Sequence, residues 1–313
     1  MNAVTNILVE TAELSKEEWL RYRNMGIGGG DVAALLGISK WKTELELWLE
    51  KTGQADALMQ ENEAMQWGTI MEPVIRKHFL EVTGKPVVEV KAILQHPAHP
   101  YMLANIDGLT VDDEGNPAIL EIKTASEFKR SEWENGVPAY YQTQVQHYLC
   151  VTGIRKAYVA VLIGGNSFYI HQIDADAEVQ RMLIALEGQF WDKVANGVRP
   201  EIDGSDAATN LLNTMYQGGF KEQLTLPDEA VVYIDQYIQA CAEEDGAKAR
   251  KQEAANRIKN LMGNHDKAVC GEYKVNWKSI TTERLDTKAL KADEPDLYAK
   301  YVKNSTSRRF TLK

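Results

Sequence analysis

Residues 101–124 read YMLANIDGLTVDDEGNPAILEIKT, a pattern typical of a β-hairpin. Apolar and β-branched residues fill 101–111, residues 117–124 alternate in character, and the DDEGN segment between them holds the residues that turns favour. Because strand side chains alternate between two faces, Glu121 and Lys123 project from the same face. An antiparallel hairpin brings Asp107 of the first strand beside Glu121. The segment therefore predicts three charged groups side by side.

The grouping of Asp107, Glu121 and Lys123 predicts a site for a divalent cation. Two carboxylates and an ammonium group are costly to bury in an ordinary core without partners. Carboxylate oxygens are the ligands that hard cations such as Mg²⁺ take in proteins. Because an Asp and a Glu-x-Lys at loose spacing occur in many chains, the other segments of the sequence must identify the site.

Three further segments accompany the hairpin. Residues 23–31 read RNMGIGGGD and lead to LGISKW at 36–41, residues 67–73 read WGTIMEP, and residues 141–146 read YQTQVQ. Together with Asp107 and Glu121-Ile122-Lys123, they resemble the YqaJ-like viral recombinase nucleases, relatives of phage lambda exonuclease that carry the PD-(D/E)XK signature. The resemblance covers roughly residues 20–200.

The resemblance implies which residues form the active site. The implied catalytic residues are Asp107, Glu121, Lys123, Glu72 and Gln144. The implied ligands of two Mg²⁺ ions, which Mn²⁺ would replace, are Asp107, Glu121, the backbone carbonyl of Ile122 and, as an outer ligand, Glu72. Gln144 would orient the attacking water or Lys123. On the residues alone, Glu72 and Gln144 would most often be ordinary surface side chains.

The glycine-rich loop before Asp31 predicts an anion site, since free amides at a helix N-terminus attract phosphate. The resemblance adds Arg23 and implies a pocket for a DNA 5′-phosphate formed by Arg23, Gly28, Gly29 and Gly30. Gly30 stands where the family commonly has Ser, so one hydroxyl group is absent. An interhelical turn with a solvated arginine is the alternative interpretation.

The order of predicted elements indicates an α/β fold: a restriction-endonuclease-like core whose mixed central sheet is flanked by helices. We expect a nuclease domain at 1–203, a glycine- and proline-containing linker at 204–226, and an extension at 227–313 with a long helix, a strand pair and a basic end. The helix expected at 62–83 contains Pro73, and its predicted apolar face consists of Trp67, Ile70, Met71, Val74, Ile75 and Phe79.

Bulk composition predicts a cytoplasmic protein, and the resemblance implies a bacterial host cell and a phage or prophage gene. The three cysteines are odd in number and widely spaced, and the sequence lacks an eighteen-residue apolar run or a signal-peptide pattern. The net charge of −10 comes from the first 204 residues, because 17 Lys and Arg stand against 16 Asp and Glu from residue 205 on. An acidic body with locally basic surface still binds DNA where clefts focus the potential.

The resemblance implies a Mg²⁺-dependent exonuclease that digests double-stranded DNA from 5′ ends and leaves 3′ overhangs. It further implies a ring-shaped homotrimer that works beside a single-strand annealing protein, with no membrane partner. Two alternatives stay open: an endonuclease or junction resolvase on the same core, and a non-catalytic DNA-binding or scaffold module. The complete set of site residues argues against the second alternative. The extension is a packing appendage, a DNA clamp or a partner contact.

Overall fold

The computed structural model describes residues 6–54, 63–216, 218–219, 221–303 and 308–312. The chain divides into two compact units, Met1–Gln217 and Gly218–Lys313. The predicted α/β class, with mixed sheets flanked by helices and a C-terminal extension of helices and a hairpin, is confirmed. The first unit contains every residue of the predicted site.

Within the described residues of the first unit, eight strands and seven α-helices alternate along the chain. The strands are β1 (Asn6–Glu10), β2 (Ile27–Gly28), β3 (Ala92–Gln95), β4 (Met102–Ala104), β5 (Gly108–Val111), β6 (Pro117–Ala125), β7 (Lys156–Ile163) and β8 (Ser167–Asp174). The helices are α1 (Lys16–Arg23), α2 (Gly29–Leu35), α3 (Glu44–Lys51), α4 (Glu63–Thr83), α5 (Ala139–Thr152), α6 (Ala177–Asn196) and α7 (Asp206–Met215), and Glu127–Trp133 form a 3₁₀ helix.

The strands form two sheets. One has the order β5-β6-β7-β8 and is mixed, because β6 and β7 run parallel while the outer pairs are antiparallel. The other has the order β1-β3-β4-β2, with β2 and β4 parallel. Strand β6 is buried on both faces: Leu120 and Ile122 pack with Phe79 of α4, and Ile119 packs with Val145 of α5. Glu121 and Lys123 therefore belong to the face that α5 covers.

The strand predicted over 101–111 is wrong in one respect, because it divides into β4 and β5, which belong to different sheets. Asp107 lies at the break and not within a strand. Its Oδ2 accepts the Ile122 amide at 2.7 Å, and its carbonyl accepts Arg76 Nη2 at 3.1 Å. These side-chain contacts satisfy groups that a continuous ladder would have paired. Upstream of the hairpin, β3 covers only Ala92–Gln95, and one isolated bridge joins Val88 to Leu109.

The predicted apolar face of α4 is only partly correct. Ile75 and Phe79 are buried against β6 and β7, and Met71 packs beside them, so a stripe at steps of four faces the sheet. Trp67, Ile70 and Val74 are each more than half exposed. Helical spacing fits both stripes, and the contact with the sheet selects the first.

The linker predicted at 204–226 is wrong at its start, because α7 forms there. Ser205 accepts the amide of Ala208 and begins the helix, whose Ala207, Ala208 and Leu211 are buried. Leu211 packs with Phe190 of α6 in a core cluster of the first unit. Gly197, which has a positive φ of 66°, marks the end of α6 and not the start of an unstructured segment.

The second unit contains a long helix, α8 (Ala230–Met262), then a hairpin of β9 (Lys267–Cys270) and β10 (Tyr273–Asn276), and two short helices, α9 (Thr287–Asp293) and α10 (Pro295–Tyr301). The predicted long helix and strand pair are confirmed. Across the described residues of the chain, no helix is long and apolar enough to span a membrane.

The position of α7 predicts where the chain tolerates truncation. A chain ending after residue 217 is expected to fold, whereas one ending at Asp203 loses the buried side chains of α7 and about 2–5 kcal/mol or more, the usual cost of removing one buried leucine. Soluble yield and melting temperature measure the difference. Equal stability of both chains would show that α7 adds nothing to the core.

Candidate active site

Asp107, Glu121 and Lys123 meet at one pocket, as the hairpin predicts. The pocket has a volume of about 600 Å³ and is also lined by Glu72, Ile122 and Gln144. Lys123 Nζ lies 2.6 Å from Glu121 Oε1 and 4.7 Å from the centre of the Tyr141 ring. The Glu121 side chain is 2% exposed and that of Lys123 is 17% exposed. The ammonium group therefore has both a buried partner and access to the pocket.

Helix α5 holds Glu121 from the opposite side. Gln144 Nε2 donates to Glu121 Oε1 at 2.8 Å and lies 3.0 Å from the Tyr148 hydroxyl. Glu121 Oε2 is buried and has no hydrogen-bond partner among the described residues. One oxygen of this carboxylate is thus held in place, while the other remains free to bind a ligand.

Burial and mutual repulsion shape the charges of the site. Burial, and then the neighbouring Asp107, raise the pKa of Glu121 to about 8, although Lys123 opposes the shift. Burial also raises the pKa of Asp107, against the attraction of Lys123. For Lys123, burial lowers the pKa, but the Glu121 and Asp107 carboxylates outweigh it and the net shift is upward. Such repulsion between adjacent buried carboxylates is relieved when a cation binds.

Glu72 lies at the same pocket, but its Oε1 accepts Arg76 Nη2 one helical turn away. Burial, and then Asp107, raise the pKa of Glu72, which places its carboxylate within the field of the other two acids. Arg76 also donates to the Asp107 carbonyl and so links α4 to the break between β4 and β5. Glu72 is therefore brought to the site, and its role as a metal ligand stays a prediction.

The donor set fits a hard divalent cation. Among the described residues, no three His, Cys, Asp or Glu side chains group closely enough to hold a metal by themselves. Asp107 and Glu121 would act with the Ile122 carbonyl, and water or substrate oxygens would complete the shell. This arrangement matches Mg²⁺, which keeps several waters and takes one or two carboxylates. The unpartnered Oε2 of Glu121 is the atom that a cation would satisfy.

The predicted phosphate residues form a second cluster, around the buried carboxylate of Asp31. Its oxygens lie 3.0 Å from Lys51 Nζ, 3.7 Å from Lys42 Nζ and 4.0 Å from Arg23 Nη2, and one of them accepts the Gly28 amide. Burial raises the pKa of Asp31, but the three cations outweigh it and the net shift is downward. The Arg23 side chain is partly exposed beside Gly28 and Gly30.

Gly29 has a packing role that the sequence did not predict. A Cβ atom at this position would lie 2.5 Å from Cε1 of Tyr148 and 3.0 Å from Cγ of Gln144, so only glycine lets α2 approach α5 so closely. The loop thereby touches the two residues that hold Glu121. At Gly28 and Gly30 such an atom would make only ordinary van der Waals contacts, 3.8 Å or more from the side chains of Asp31 and Arg23.

Sequence reasoning missed Arg76, Tyr148, Lys42 and Lys51. The spacing of Arg76 from Glu72 (i, i+4) is a signal that predicts their contact. Tyr148 follows Gln144 at the same spacing, on the same face of α5. The two lysines had no comparable signal, because only the fold brings Lys51 of α3 and Lys42, just before that helix, beside Asp31.

The family model for the YqaJ-like viral recombinase domain matches residues 18–155, a range that includes every residue predicted for the site. The chain is 40% identical over 312 residues to the Bacillus subtilis (strain 168) protein named "Uncharacterized protein YqaJ", and the alignment covers 98% of this chain and 97% of that protein. The chain belongs to the YqaJ-like viral recombinase family.

Other proteins are less similar to this YqaJ-like chain. "Protein D345L" of African swine fever virus (strain Badajoz 1971 Vero-adapted) is 25% identical over 283 residues, with 78% of this chain and 77% of that protein covered. The alkaline exonuclease LHK-Exo of Laribacter hongkongensis is 24% identical with a TM-score of 0.46, and the comparison covers 59% of this chain and 97% of that one. A phage-related exonuclease from Haemophilus somnus 129PT is 11% identical with a TM-score of 0.40, covering 57% and 99%.

Proposed function

We propose that this YqaJ-like protein is a Mg²⁺-dependent exonuclease that digests one strand of duplex DNA from its 5′ end. The observation that carries the proposal is the pocket in which Asp107, Lys123 and the half-free carboxylate of Glu121 converge. The YqaJ-like recombinase family to which the chain belongs supports a DNA exonuclease, and the metal ion and the 5′-to-3′ polarity are part of the proposal. The 3′ overhang that remains is the substrate of an annealing protein in recombination.

Each side chain of the pocket has a role in this reaction. Asp107, Glu121 and the Ile122 carbonyl would hold the metal ions, with Glu72 as an outer ligand. When bound, two such ions stabilise the attacking and leaving oxygens of a phosphodiester displacement. Lys123 places its ammonium group where negative charge develops on the phosphoryl oxygens. Gln144 fixes the orientation of Glu121, and the Tyr141 ring packs against Lys123.

One set of DNA substrates tests the reaction. Linear duplexes labelled at the 5′ or the 3′ end of one strand, nicked circles and closed circles are incubated with Mg²⁺, with Mn²⁺ and with EDTA. We expect early release of the 5′ label, late release of the 3′ label, intact closed circles and no digestion in EDTA. Cleavage of closed circles would favour the endonuclease or resolvase alternative. Binding of DNA with no digestion in either metal would favour the non-catalytic alternative.

The Arg23 cluster predicts a preference for 5′-phosphorylated ends. Arg23, Lys42 and Lys51 outnumber the acids Asp31 and Glu50 that pair with them, so the pocket carries net positive charge. Arg23→Ala is expected to reduce the preference about tenfold or more, the effect of losing one hydrogen bond to a charged group. Digestion rates on 5′-phosphate and 5′-hydroxyl duplexes measure it.

Arg21→Ala on the same helix is the matched control for Arg23→Ala, because Arg21 is exposed and has no ion pair with Asp31 in the described structure. We expect this variant to keep the preference of the wild type. Because Gly30 supplies no hydroxyl, we expect the preference to be weaker than in relatives with Ser there. Equal rates of the wild-type protein on both ends would contradict the phosphate pocket.

Assembly and partners form the last part of the proposal. A trimeric ring and cooperation with a single-strand annealing protein rest on the resemblance to phage recombination nucleases. Light scattering of the purified chain measures the first. Co-purification with an annealing protein encoded beside it tests the second.

A further inference from the structure

We propose that Trp41 is a stacking platform for an unpaired nucleobase at the mouth of the active-site pocket, and that Lys129 beside it contacts the DNA backbone. This inference rests on the proposed nuclease function and adds a substrate contact to it. Trp41 and Lys129 line the same pocket as Asp107, Glu121 and Lys123. Trp41 is nevertheless 54% exposed, so much of the indole is open to a ligand.

The exposed indole is held in place by its surroundings. Its ring makes an edge-to-face contact with Tyr140, with 5.2 Å between centroids and 88° between planes. The hydroxyl of Ser39 accepts the backbone amides of Trp41 and Lys42, which fixes the loop that carries the indole. A preorganised aromatic surface binds with less loss of conformational entropy than a mobile one.

Tyr140 is itself anchored, so the support of the platform extends into the protein. Its hydroxyl donates to Glu132 at 2.7 Å, and Lys40 bridges the same carboxylate at 2.9 Å. The rings of Tyr140 and Tyr141 lie 4.5 Å apart, and Tyr141 packs against the ammonium group of Lys123. A continuous row of rings therefore runs from the catalytic lysine to the exposed tryptophan.

Lys129 indicates that the ligand is a nucleotide and not an apolar group. Its Nζ lies 4.9 Å from the centre of the Trp41 ring, in a cation–π contact at the pocket rim. An ammonium group beside an open aromatic face is the pairing that proteins use for single-stranded nucleic acid, where the ring stacks a base and the cation tracks the backbone. A base that stacks on Trp41 would release Lys129 from the ring toward a phosphate.

The proposed reaction creates a need for such a platform. To bring one strand to carboxylates at the bottom of a pocket, the enzyme must separate the bases near the 5′ end from their complement. The loss of stacking and pairing costs a few kcal/mol, and an aromatic side chain restores part of it. Trp41 stands at the pocket where a separated base would be stacked.

The test is a coupling experiment on the full-length protein. Wild type, Trp41→Ala and Trp41→Phe digest 5′-phosphorylated duplexes whose first, second or third nucleotide is either intact or abasic. On intact duplex, Trp41→Ala is expected to lower kcat/KM about tenfold or more, since stacking of one base is worth ~1–3 kcal/mol. Trp41→Phe should keep most of the rate, because its ring can still stack a base. On one of the three abasic substrates, Trp41→Ala should have the same kcat/KM as wild type, because the base that Trp41 stacks is already missing.

Two further variants separate stacking from other effects. Trp277 in the second unit is also a partly exposed tryptophan with a lysine, Lys259, over its ring, so Trp277→Ala is the matched control and should digest like wild type. Lys129→Gln should weaken binding to intact and abasic ends alike, since a phosphate contact does not depend on the base. Binding is measured in EDTA by anisotropy of a 3′-labelled duplex with two unpaired 5′ nucleotides.

The outcomes distinguish this inference from the proposed function. If the wild type binds the duplex with two unpaired 5′ nucleotides but digests no DNA, the proposed nuclease function is refuted. Weaker binding of that duplex by Trp41→Ala would still support stacking on Trp41. If the wild type digests DNA and Trp41→Ala is unaffected, or is equally slow on every abasic substrate, the platform is refuted and the nuclease stands. A folded Trp41→Phe variant that digests intact duplex as slowly as Trp41→Ala also contradicts stacking, because phenylalanine keeps an aromatic face.

Discussion

Lys123→Ala is expected to slow digestion of linear duplex DNA ~10²–10³-fold, the usual effect of removing one preorganised group that stabilises transition-state charge. The expectation follows from the position of Nζ, which reaches the pocket while Glu121 and the Tyr141 ring hold it in place. Because the interaction matters most when charge develops, kcat should fall more than affinity for DNA. Single-turnover digestion and binding in EDTA measure the two quantities.

Asp107→Asn is expected to give a comparable loss for a different reason. The side-chain oxygen of the asparagine can still accept the Ile122 backbone N–H, so the break between β4 and β5 keeps its shape. The negative charge that attracts a cation is lost. Lys156→Ala and Asp113→Asn are the matched controls, since both change the same residue types outside the pocket lining. Folding is checked by circular dichroism.

More than about a tenth of wild-type activity in Lys123→Ala would contradict the role of Lys123 in charge stabilisation.

The centre of the fold could be predicted because its signals are local. The alternation in β6 and the turn residues before it placed Glu121 and Lys123 on one face, and the structure shows them there. The break at Asp107 could not be predicted, because it depends on Ile122 and Arg76, which are distant in sequence. Local patterns identify strands, and long-range hydrogen bonds determine where they end.

Helices were predicted better than the faces that they bury. Two apolar stripes on α4 have the same helical spacing, and only the sheet shows that Ile75 and Phe79 face inward while Trp67 faces outward. In the linker predicted at 204–226, Gly204, Gly218 and Gly219 were interpreted as signs of irregular structure, although such residues also occur beside the ends of helices. The capping serine of α7 was the overlooked signal.

For the residues around the site, too, the long-range contacts could not be predicted from the sequence. The family resemblance placed Gln144 at the site, and the structure adds its contact with Glu121 and the need for glycine at position 29 where α2 meets α5. The two lysines of the cluster around Asp31 had no sequence signal, because only the fold brings Lys42 and Lys51 beside that carboxylate. The free-energy cost of burying a charged group such as Asp31 depends on how many partners surround it, and only the fold shows those partners.

A second buried pair, His147 and Glu187, joins α5 to α6 away from the pocket. Both side chains are fully buried. Nδ1 of His147 lies 2.8 Å from Glu187 Oε1, and Nε2 lies 2.8 Å from the Leu103 carbonyl. With Glu187 ionised, both neighbours are acceptors, so both ring nitrogens donate and the ring is a cation paired with a carboxylate. Burial lowers the pKa of His147, but Glu187 and the two hydrogen bonds outweigh it and the net shift is upward.

Glu187→Gln is expected to lower the free energy of unfolding by about 3 kcal/mol or more near pH 6, since removing one partner leaves a buried charge unpaired. The raised pKa fixes the sign of the pH dependence. The stability that the pair contributes is fully present below the unfolded pKa of histidine, about 6.5, and is lost as pH rises through the higher folded pKa. The difference in free energy of unfolding between wild type and Glu187→Gln should therefore become smaller as the pH rises. Urea unfolding from pH 5.5 to 9 measures it, with Glu178→Gln, exposed on the same helix, as the control. A variant as stable as wild type at pH 6 would show that His147 is neutral in the folded protein.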